Sequence, residues 1–309
     1  MPQSDIKRLL SKIEFEEPQI VQLKDELFEK NGVQVSVLRL DKIQTVISGN
    51  KLFKLFYFLK EAKKSLHKTI ITFGGAYSNH LAATAFACEK MKIKAVGIVR
   101  GEKPKSLSHT LQFCLEYGMH LEFISRSLYK NIDEKFLQHL KDKYGDYILI
   151  PEGGFSVEGK NGASLINYYF ADKNFTHVCL PVGTATTFAG IVDANESETE
   201  IMGVGVLKNL NDIAERFGEL KVDVSKKYSF IGDYHFDGYA KKNDELTSFM
   251  NPFYSKHSIP LDFVYTAKLM FGVYDLIAKN YFKPGSNILC IHTGGLQGND
   301  SLKEGELIY

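Results

Sequence analysis

Two groups of residues in this chain could carry covalent and proton chemistry. Gly49-Asn50-Lys51 opens an apolar-periodic segment and offers an amine. Gly74-Gly75-Ala76-Tyr77-Ser78-Asn79-His80 lies between a strand pattern and a helix pattern and offers backbone N–H groups, a hydroxyl, an amide and an imidazole. A lysine at a helix start sits badly in the helix dipole, which favours negative charge there. It is either a solvated surface lysine or a desolvated one with a depressed pKa, able to form an imine with a carbonyl cofactor. Lys54, one turn on, is a second positive charge that would strengthen the latter case or bind a phosphate. The stretch Ser48–Thr84 thus reads as a covalent attachment point together with the cradle for what is attached.

Turns of the same kind recur. Apolar strand patterns also run into Glu152-Gly153-Gly154, Gly183-Thr184-Ala185-Thr186-Thr187 and Thr293-Gly294-Gly295-Leu296-Gln297-Gly298. Ligands of open α/β sheets sit at the carboxyl ends of strands, glycines admit close approach of the backbone, and helix starts attract anions. Gly183–Thr187 combines amides and hydroxyls as a phosphate cradle would. It is not a GxxxxGK[ST] loop, and Gly203-Val204-Gly205 lacks the third glycine of a dinucleotide fingerprint. Any one such turn is as readily an ordinary βα connection; four together are not. His235 and Asp237 lie in a turn-rich segment with no HExxH or clustered carboxylates, so no metal site is expected. Phe53, Phe56, Tyr57 and Phe58 read as core.

The elements that must position these groups follow from periodicity. Period-two or short apolar runs predict strands at Val33–Leu40, Thr69–Phe73, Ala95–Val99, His120–Ile124, Tyr147–Ile150, His177–Pro181, Ile201–Leu207 and Asn287–Ile291. Helical spacing predicts helices at Leu52–Lys64, Leu81–Met91, Ser106–Tyr117, Leu128–Tyr144, Gly162–Ala171, Thr187–Ala194 and Phe263–Tyr281. Residues 1–30 read as a helix with an extended arm, and 208–262 as irregular. Strands alternating with helices of this length imply βαβ crossovers and mostly parallel sheets. With 309 residues, one large domain or two closely joined ones are expected. A net charge of +1 gives no bulk attraction to nucleic acid or to an anionic membrane surface. Cys88, Cys114, Cys179 and Cys290 form no CxxC pair and read as buried thiols. No apolar run approaches a membrane span and the N-terminus has no signal core, so a cytoplasmic protein is expected.

Taken in order, Gly49-Asn50-Lys51 with Lys54-Leu55, Gly74-Gly75-x-x-Ser78-Asn79-His80, Pro151-Glu152-Gly153-Gly154, Gly238-Tyr239, Val264-Tyr265-Thr266-x-Lys268 and His292-Thr293-Gly294-Gly295 resemble a known family. It is the 1-aminocyclopropane-1-carboxylate deaminase/D-cysteine desulfhydrase group, pyridoxal-phosphate enzymes of the tryptophan-synthase-β fold type. The resemblance runs from about residue 33 to about residue 298. It implies two open, mostly parallel twisted sheets flanked by helices, with pyridoxal 5'-phosphate between the two domains. A larger cofactor-binding domain would comprise residues 1–48 and 155–309, and a smaller inserted one 49–154. A homodimer acting on a small amino acid is implied as well.

The resemblance also implies roles. Lys51 would hold the cofactor as a Schiff base and move the substrate's proton. Ser78 would lie beside the substrate carboxylate and relay a proton, with His80 nearby. Asn79 would bond the pyridoxal 3′-oxygen and touch the substrate. Gly183, Thr184, Ala185, Thr186 and Thr187, with Lys54, would hold the phosphate. Tyr239 and Tyr265 would face the substrate. Thr293 would approach the pyridine nitrogen, with Thr266 near it. In the cyclopropane-opening members a glutamate stands at the Thr266 position and a leucine at the Thr293 position. A carboxylate there keeps the pyridine nitrogen protonated and the ring a strong electron sink. Two threonines make a weaker one, which suits β-elimination of a good leaving group and favours D-cysteine breakdown over ring opening. Two departures stand out: Phe53 where the family usually carries arginine, and Tyr77 where it carries glutamine. The helix after the phosphate turn also looks short. Ring opening is the alternative activity, and a catalytically silent cofactor-binding protein is the alternative of another class.

Overall fold

The computed structural model describes residues 11–44, 46–47, 49–65 and 69–309. The first ten residues of the expected N-terminal arm, and Ser48 and 66–68 of the attachment stretch, lie outside the described residues. Apolar runs between turn residues form strands β1 Ile20–Gln22, β2 Gln34–Arg39, β3 Thr69–Gly74, β4 Lys94–Arg100, β5 His120–Ile124, β6 Ile148–Ile150, β7 His177–Val182, β8 Glu200–Gly205, β9 Tyr228–Ile231 and β10 Asn287–His292. The chain divides into two units: Lys51–Gly162 with residues 11–15, and Glu16–Asn50 with Ala163–Tyr309.

The first unit holds a four-stranded parallel sheet in the order β5-β4-β3-β6. β3 is buried at every position, as a strand covered on both faces must be. From β3 the chain steps to β4 and β5 on one side, then returns to place β6 on the other. The strand order therefore reverses between β3 and β6. The helix Asn79–Met91 is buried from His80 to Cys88, because its small residues let it lie close. The single helix expected over Leu128–Tyr144 is instead two, Arg126–Lys130 and Glu134–Tyr144. Asp133 breaks them apart: its carboxylate accepts the Phe136 N–H at 2.8 Å and caps the second.

The second unit holds six strands in the order β1-β2-β10-β7-β8-β9, parallel except for β1 against β2. Here the reversal falls between β7 and β10. Apolar residues of the sheet, among them Val35, Val37, Ile288 and Cys290, form one core with Ala267, Met270, Val273 and Ile277 of the helix Thr266–Ala278. Residues 208–262 are more regular than expected. They contain a helix at Ile213–Glu219, strand β9, and the helix Asp244–His257, which carries Pro252. The last is capped by Asn243, which accepts the Leu246 N–H at 3.0 Å, and buries Leu246, Met250 and Phe253 on one face. The helix expected over Gly162–Ala171 is an α-helix Val157–Ser164 followed by a 3-10 turn Leu165–Tyr169. All four cysteines are buried thiols. Among the described residues no helix is long and apolar enough to cross a membrane.

Candidate active site

Each unit presents two of the four turns on adjacent strands at the reversal of its sheet. In the first, Gly74–His80 follows β3 and Glu152–Gly154 follows β6. In the second, Gly183–Thr187 follows β7 and Thr293–Gly298 follows β10. A reversal leaves the helices on opposite faces and opens a crevice at the carboxyl ends of the two strands, where ligands bind.

In the first unit Lys54 is almost fully buried, and its ammonium donates to the Gly153 carbonyl at 3.0 Å. Burial, and then the neighbouring Lys51 charge, pushes its pKa well below the usual lysine range. His80 is buried beside it. The Thr72 hydroxyl donates its one proton to the Ile150 carbonyl at 2.9 Å, so at its 2.9 Å contact with His80 it accepts. His80 therefore carries its proton on Nε2, and Nδ1 is a bare, buried lone pair with no hydrogen-bond partner among the described residues. Burial first, then Lys54 and Lys51, lowers the imidazole to about 3. Gly154, at φ 71°, is held against both groups: a Cβ there would lie 3.4 Å from Lys54 Cβ and 3.7 Å from His80 Cε1.

Ser78 caps the helix Asn79–Met91 by accepting the Leu81 N–H at 3.3 Å, which leaves the hydroxyl proton available to donate. A side chain at Gly74 would come within 2.6 Å of Ser78 Oγ, so the hydroxyl occupies its place only because Gly74 has no Cβ. Asn79 is the first residue of that helix and half-buried. The two departures noted above fall in different surroundings. Phe53 is fully buried, 6.0 Å between ring centroids from Phe15, and belongs to the core. The Tyr77 ring is 58% exposed and lies 5.7 Å from the His109 ring.

In the second unit Asn50 fastens two turns at once. Its Nδ2 donates to Thr187 Oγ1 at 2.7 Å and its N–H donates to the Thr293 carbonyl at 3.2 Å. Lys51 follows by one peptide bond, in the first turn of the helix Asn50–Lys64. Gly49, at φ 90°, makes this possible, since a Cβ there would drive into the Thr293 carbonyl. Ala185 adopts a left-handed φ of 65° at the start of the helix Thr186–Asp193, where, as the N-cap residue, it has no side chain to cap the first amides. A non-glycine residue held there is strain of the kind binding turns carry. Thr184 and Thr186 hydroxyls lie 3.0 Å apart. Tyr265 packs on Gly183, where a Cβ would sit 3.3 Å from its ring, and the Tyr239 ring is 6.2 Å from that of Tyr265.

Thr266 is placed differently from a free hydroxyl. It accepts the Asp262 N–H at 2.8 Å and donates to Asp262 Oδ1 at 2.6 Å, within a cap in which Asp262 also accepts the amides of Val264, Tyr265 and Thr266. Burial raises the Asp262 carboxyl, against the pull of Thr266 and these amides. Thr293 is buried, and among the described residues no carboxylate bonds its hydroxyl. Sequence reasoning gave no role to Thr72, Asp262 or Lys268. Asp262-x-x-x-Thr266 before an apolar helix is a cap pattern that could have been noticed; nothing local marks Thr72, whose partners are remote.

Comparison with known proteins shows the family and the fold. Residues 18–294 match the family described as pyridoxal-phosphate dependent enzyme. A protein of Thermotoga maritima provisionally named 1-aminocyclopropane-1-carboxylate deaminase is 32% identical over 303 residues, spanning 91% of this chain and 95% of that protein. A Pyrococcus abyssi protein of the same provisional name is 30% identical over 286 residues, 86% of each chain. A crystal structure described as an ACC deaminase homologue superposes with a TM-score of 0.77 at 26% identity, covering 97% of both chains.

Proposed function

Because this chain belongs to the pyridoxal-phosphate dependent enzymes, we propose that its reaction is β-elimination from D-cysteine or a similar small amino acid. The products are pyruvate, ammonia and sulfide, with one water consumed. The residues present fit the cofactor. Lys54 is depressed by burial and then by the Lys51 charge, and His80 by burial and then by Lys54 and Lys51, which an anion would relieve, and Ala185 has no side chain to cap the first amides of the helix Thr186–Asp193. Lys51 Nζ would be the attachment point. Gly183–Thr187 offers amides and the Thr184, Thr186 and Thr187 hydroxyls to the phosphate, with the Lys54 ammonium, and Asn79 offers its amide to the ring's oxygen.

When bound, pyridoxal phosphate supplies a conjugated ring that takes up the electron pair released at the substrate's α-carbon. Once the substrate's amine displaces it, the free Lys51 Nζ would remove the α-proton, and the Ser78 hydroxyl would donate its proton, already turned away from the Leu81 amide, toward the substrate. His80 stays neutral and presents Nδ1 as an acceptor. Tyr265 and Tyr239 orient the substrate. The observation that carries the choice of reaction is the hydroxyl at Thr293, together with the Thr266 proton given to Asp262. A hydroxyl cannot hold positive charge on a pyridine nitrogen as a carboxylate does, so the electron sink is modest. Elimination needs little of it: the Cβ–S bond breaks with its electrons leaving on sulfur, a good leaving group. A carbon ring has none.

The relatives' names favour a second reading, opening of 1-aminocyclopropane-1-carboxylate to 2-oxobutyrate and ammonia. One assay separates the two. Purified holoprotein is given D-cysteine, L-cysteine and the cyclopropane amino acid, and sulfide, pyruvate and 2-oxobutyrate are followed. Sulfide and pyruvate from D-cysteine at the higher kcat/KM support elimination. A larger kcat/KM for 2-oxobutyrate formation would sink it.

A further inference from the structure

Lys268 is fully buried in the helix Thr266–Ala278, and the groups around its ammonium are main-chain carbonyls. It donates to the Gly238 carbonyl at 2.7 Å, the His235 carbonyl at 2.8 Å and the Val206 carbonyl at 3.5 Å. Val206 directly follows β8, whereas His235 and Gly238 belong to the turn that follows β9. None of the three partners is a carboxylate. Burial brings the amine down to about 8, and Asp262 opposes this through its field alone. An ammonium has about the charge and size of a potassium ion, and a cage of neutral carbonyl oxygens is the donor set such an ion takes.

The caged turn is strained. Phe236, Asp237 and Ala240 carry positive φ of 47°, 65° and 52°, with Gly238 at 116° between them. Each non-glycine residue there costs about 1 kcal/mol or more, so the conformation persists only where its surroundings over-determine it. Upstream, Tyr234 is fixed to the same helix: its ring fills the space beside Gly272, and its hydroxyl donates to Asp275 at 2.6 Å. The strained part has the Lys268 bonds, beside the Phe236 ring set 5.1 Å from that of Phe271 and the exposed 3.8 Å pair of Asp237 with Lys208. It leads directly into Tyr239, half exposed and set against Tyr265.

We propose that Lys268 is a built-in monovalent cation, a tethered ammonium in a carbonyl site that orders the 235–240 turn and thereby positions Tyr239. Because the cation is part of the chain, the turn does not depend on dissolved potassium. Truncating the side chain opens the site to a dissolved cation small enough to enter. The cage stands on geometry alone; its consequence for turnover rests on the pyridoxal-phosphate reading, in which Tyr239 faces the substrate.

The test is amide hydrogen exchange over residues 233–241 of the full chain, for wild type, Lys268→Met and Lys268→Ala, at matched ionic strength. The salts are tetramethylammonium, potassium and propylammonium chloride. Wild type is expected to exchange alike in all three. Lys268→Met keeps the packing but loses the charge, and is expected to exchange about tenfold faster in this segment in every salt. Lys268→Ala is expected to be equally fast in tetramethylammonium and to regain protection in potassium or propylammonium. Wild-type protection in Lys268→Met, or no response of Lys268→Ala to any small cation, overturns the cage. If Lys268→Ala does not fold, Lys268→Met decides by the same criterion. Lost protection with an unchanged KM for the amino acid keeps the cation and overturns the positioning of Tyr239.

Discussion

The proton of His80 sits on Nε2 because Thr72 has already given its own to the Ile150 carbonyl. Burial, then the Lys54 and Lys51 charges, keep the imidazole neutral, and its protonation below the ordinary histidine range can be tested through stability. The folded pKa, near 3, lies below the unfolded value of about 6.5. Between these values the unfolded chain binds more protons, so stability due to this group is present above pH 6.5 and is lost as pH falls toward 3. His80→Gln should lack that component, with a loss in wild type of a few kcal/mol across the window. Urea midpoints measured from pH 7 to pH 4 check it, and parallel curves for the two proteins would refute a depressed His80. Ser78 has a helix cap and a proposed proton role that substitution can separate. Ser78→Ala loses the bond to the Leu81 amide, about 1 kcal/mol of stability. If the hydroxyl moves a proton, kcat should also fall by ~10²–10⁴. Ser78→Asp restores the cap without the neutral hydroxyl, and should recover stability but not rate. Thermal melting and steady-state kinetics on the same preparations give both numbers; recovery of rate in Ser78→Asp excludes the proton role.

At the scale of elements, backbone geometry decides what the glycines of the attachment stretch do. Gly49→Ala must accommodate both a φ of 90° and a collision with the Thr293 carbonyl, so the helix bearing Lys51 cannot keep its start. A loss of about 2–4 kcal/mol is expected, from backbone and not side-chain displacement. Gly218 is the contrasting case: it lies in the helix Ile213–Glu219 with nothing near its missing Cβ. Gly218→Ala should stabilise by about 0.5–1 kcal/mol. Denaturant titration of both variants tests the pair, and a Gly49→Ala protein as stable as wild type would show the turn to be adjustable. The strands with strong patterns were legible because burial imposes the pattern: β5 spans the residues expected, and β3 and β10 extend one residue beyond. β1 and β9 were not, because three or four residues on a sheet edge carry too few alternations to register. The helix Asp244–His257 was obscured by Pro252, which ordinarily ends a helix; here the buried Leu246, Met250 and Phe253 outweigh it. The break at Asp133 was obscured for the opposite reason, since apolar spacing continues on both sides of the cap.

Over the whole molecule, two sheets of different size reverse their strand order, and each does so between the two strands whose turns carry chemistry-bearing residues. That coincidence was not legible from sequence. Right-handed crossovers fix the hand of each βαβ step but not the side on which the chain resumes. What was legible was the recurrence of the turns; their pairing at reversals required register. The same pairing has a thermodynamic consequence. Lys54 and His80 in one unit are depressed by burial, and the helix start at Thr186 in the other gets no cap from Ala185, so each unit is better off with an anion supplied. Pyridoxal phosphate should therefore raise the melting temperature of cofactor-stripped protein in a concentration-dependent way. Saturation at 100 times Kd corresponds to about 2.7 kcal/mol, a shift of a few degrees in a chain of this size. Inorganic phosphate should act in the same direction and more weakly, because it lacks the ring and the proposed bond to Lys51. Lys51→Ala should keep the phosphate response and lose resistance to dialysis of the cofactor. Melting curves of stripped wild type and Lys51→Ala, at graded concentrations of each ligand, give the three comparisons. A melting temperature indifferent to both ligands would mean that these turns hold no phosphate, whichever amino acid the protein acts on.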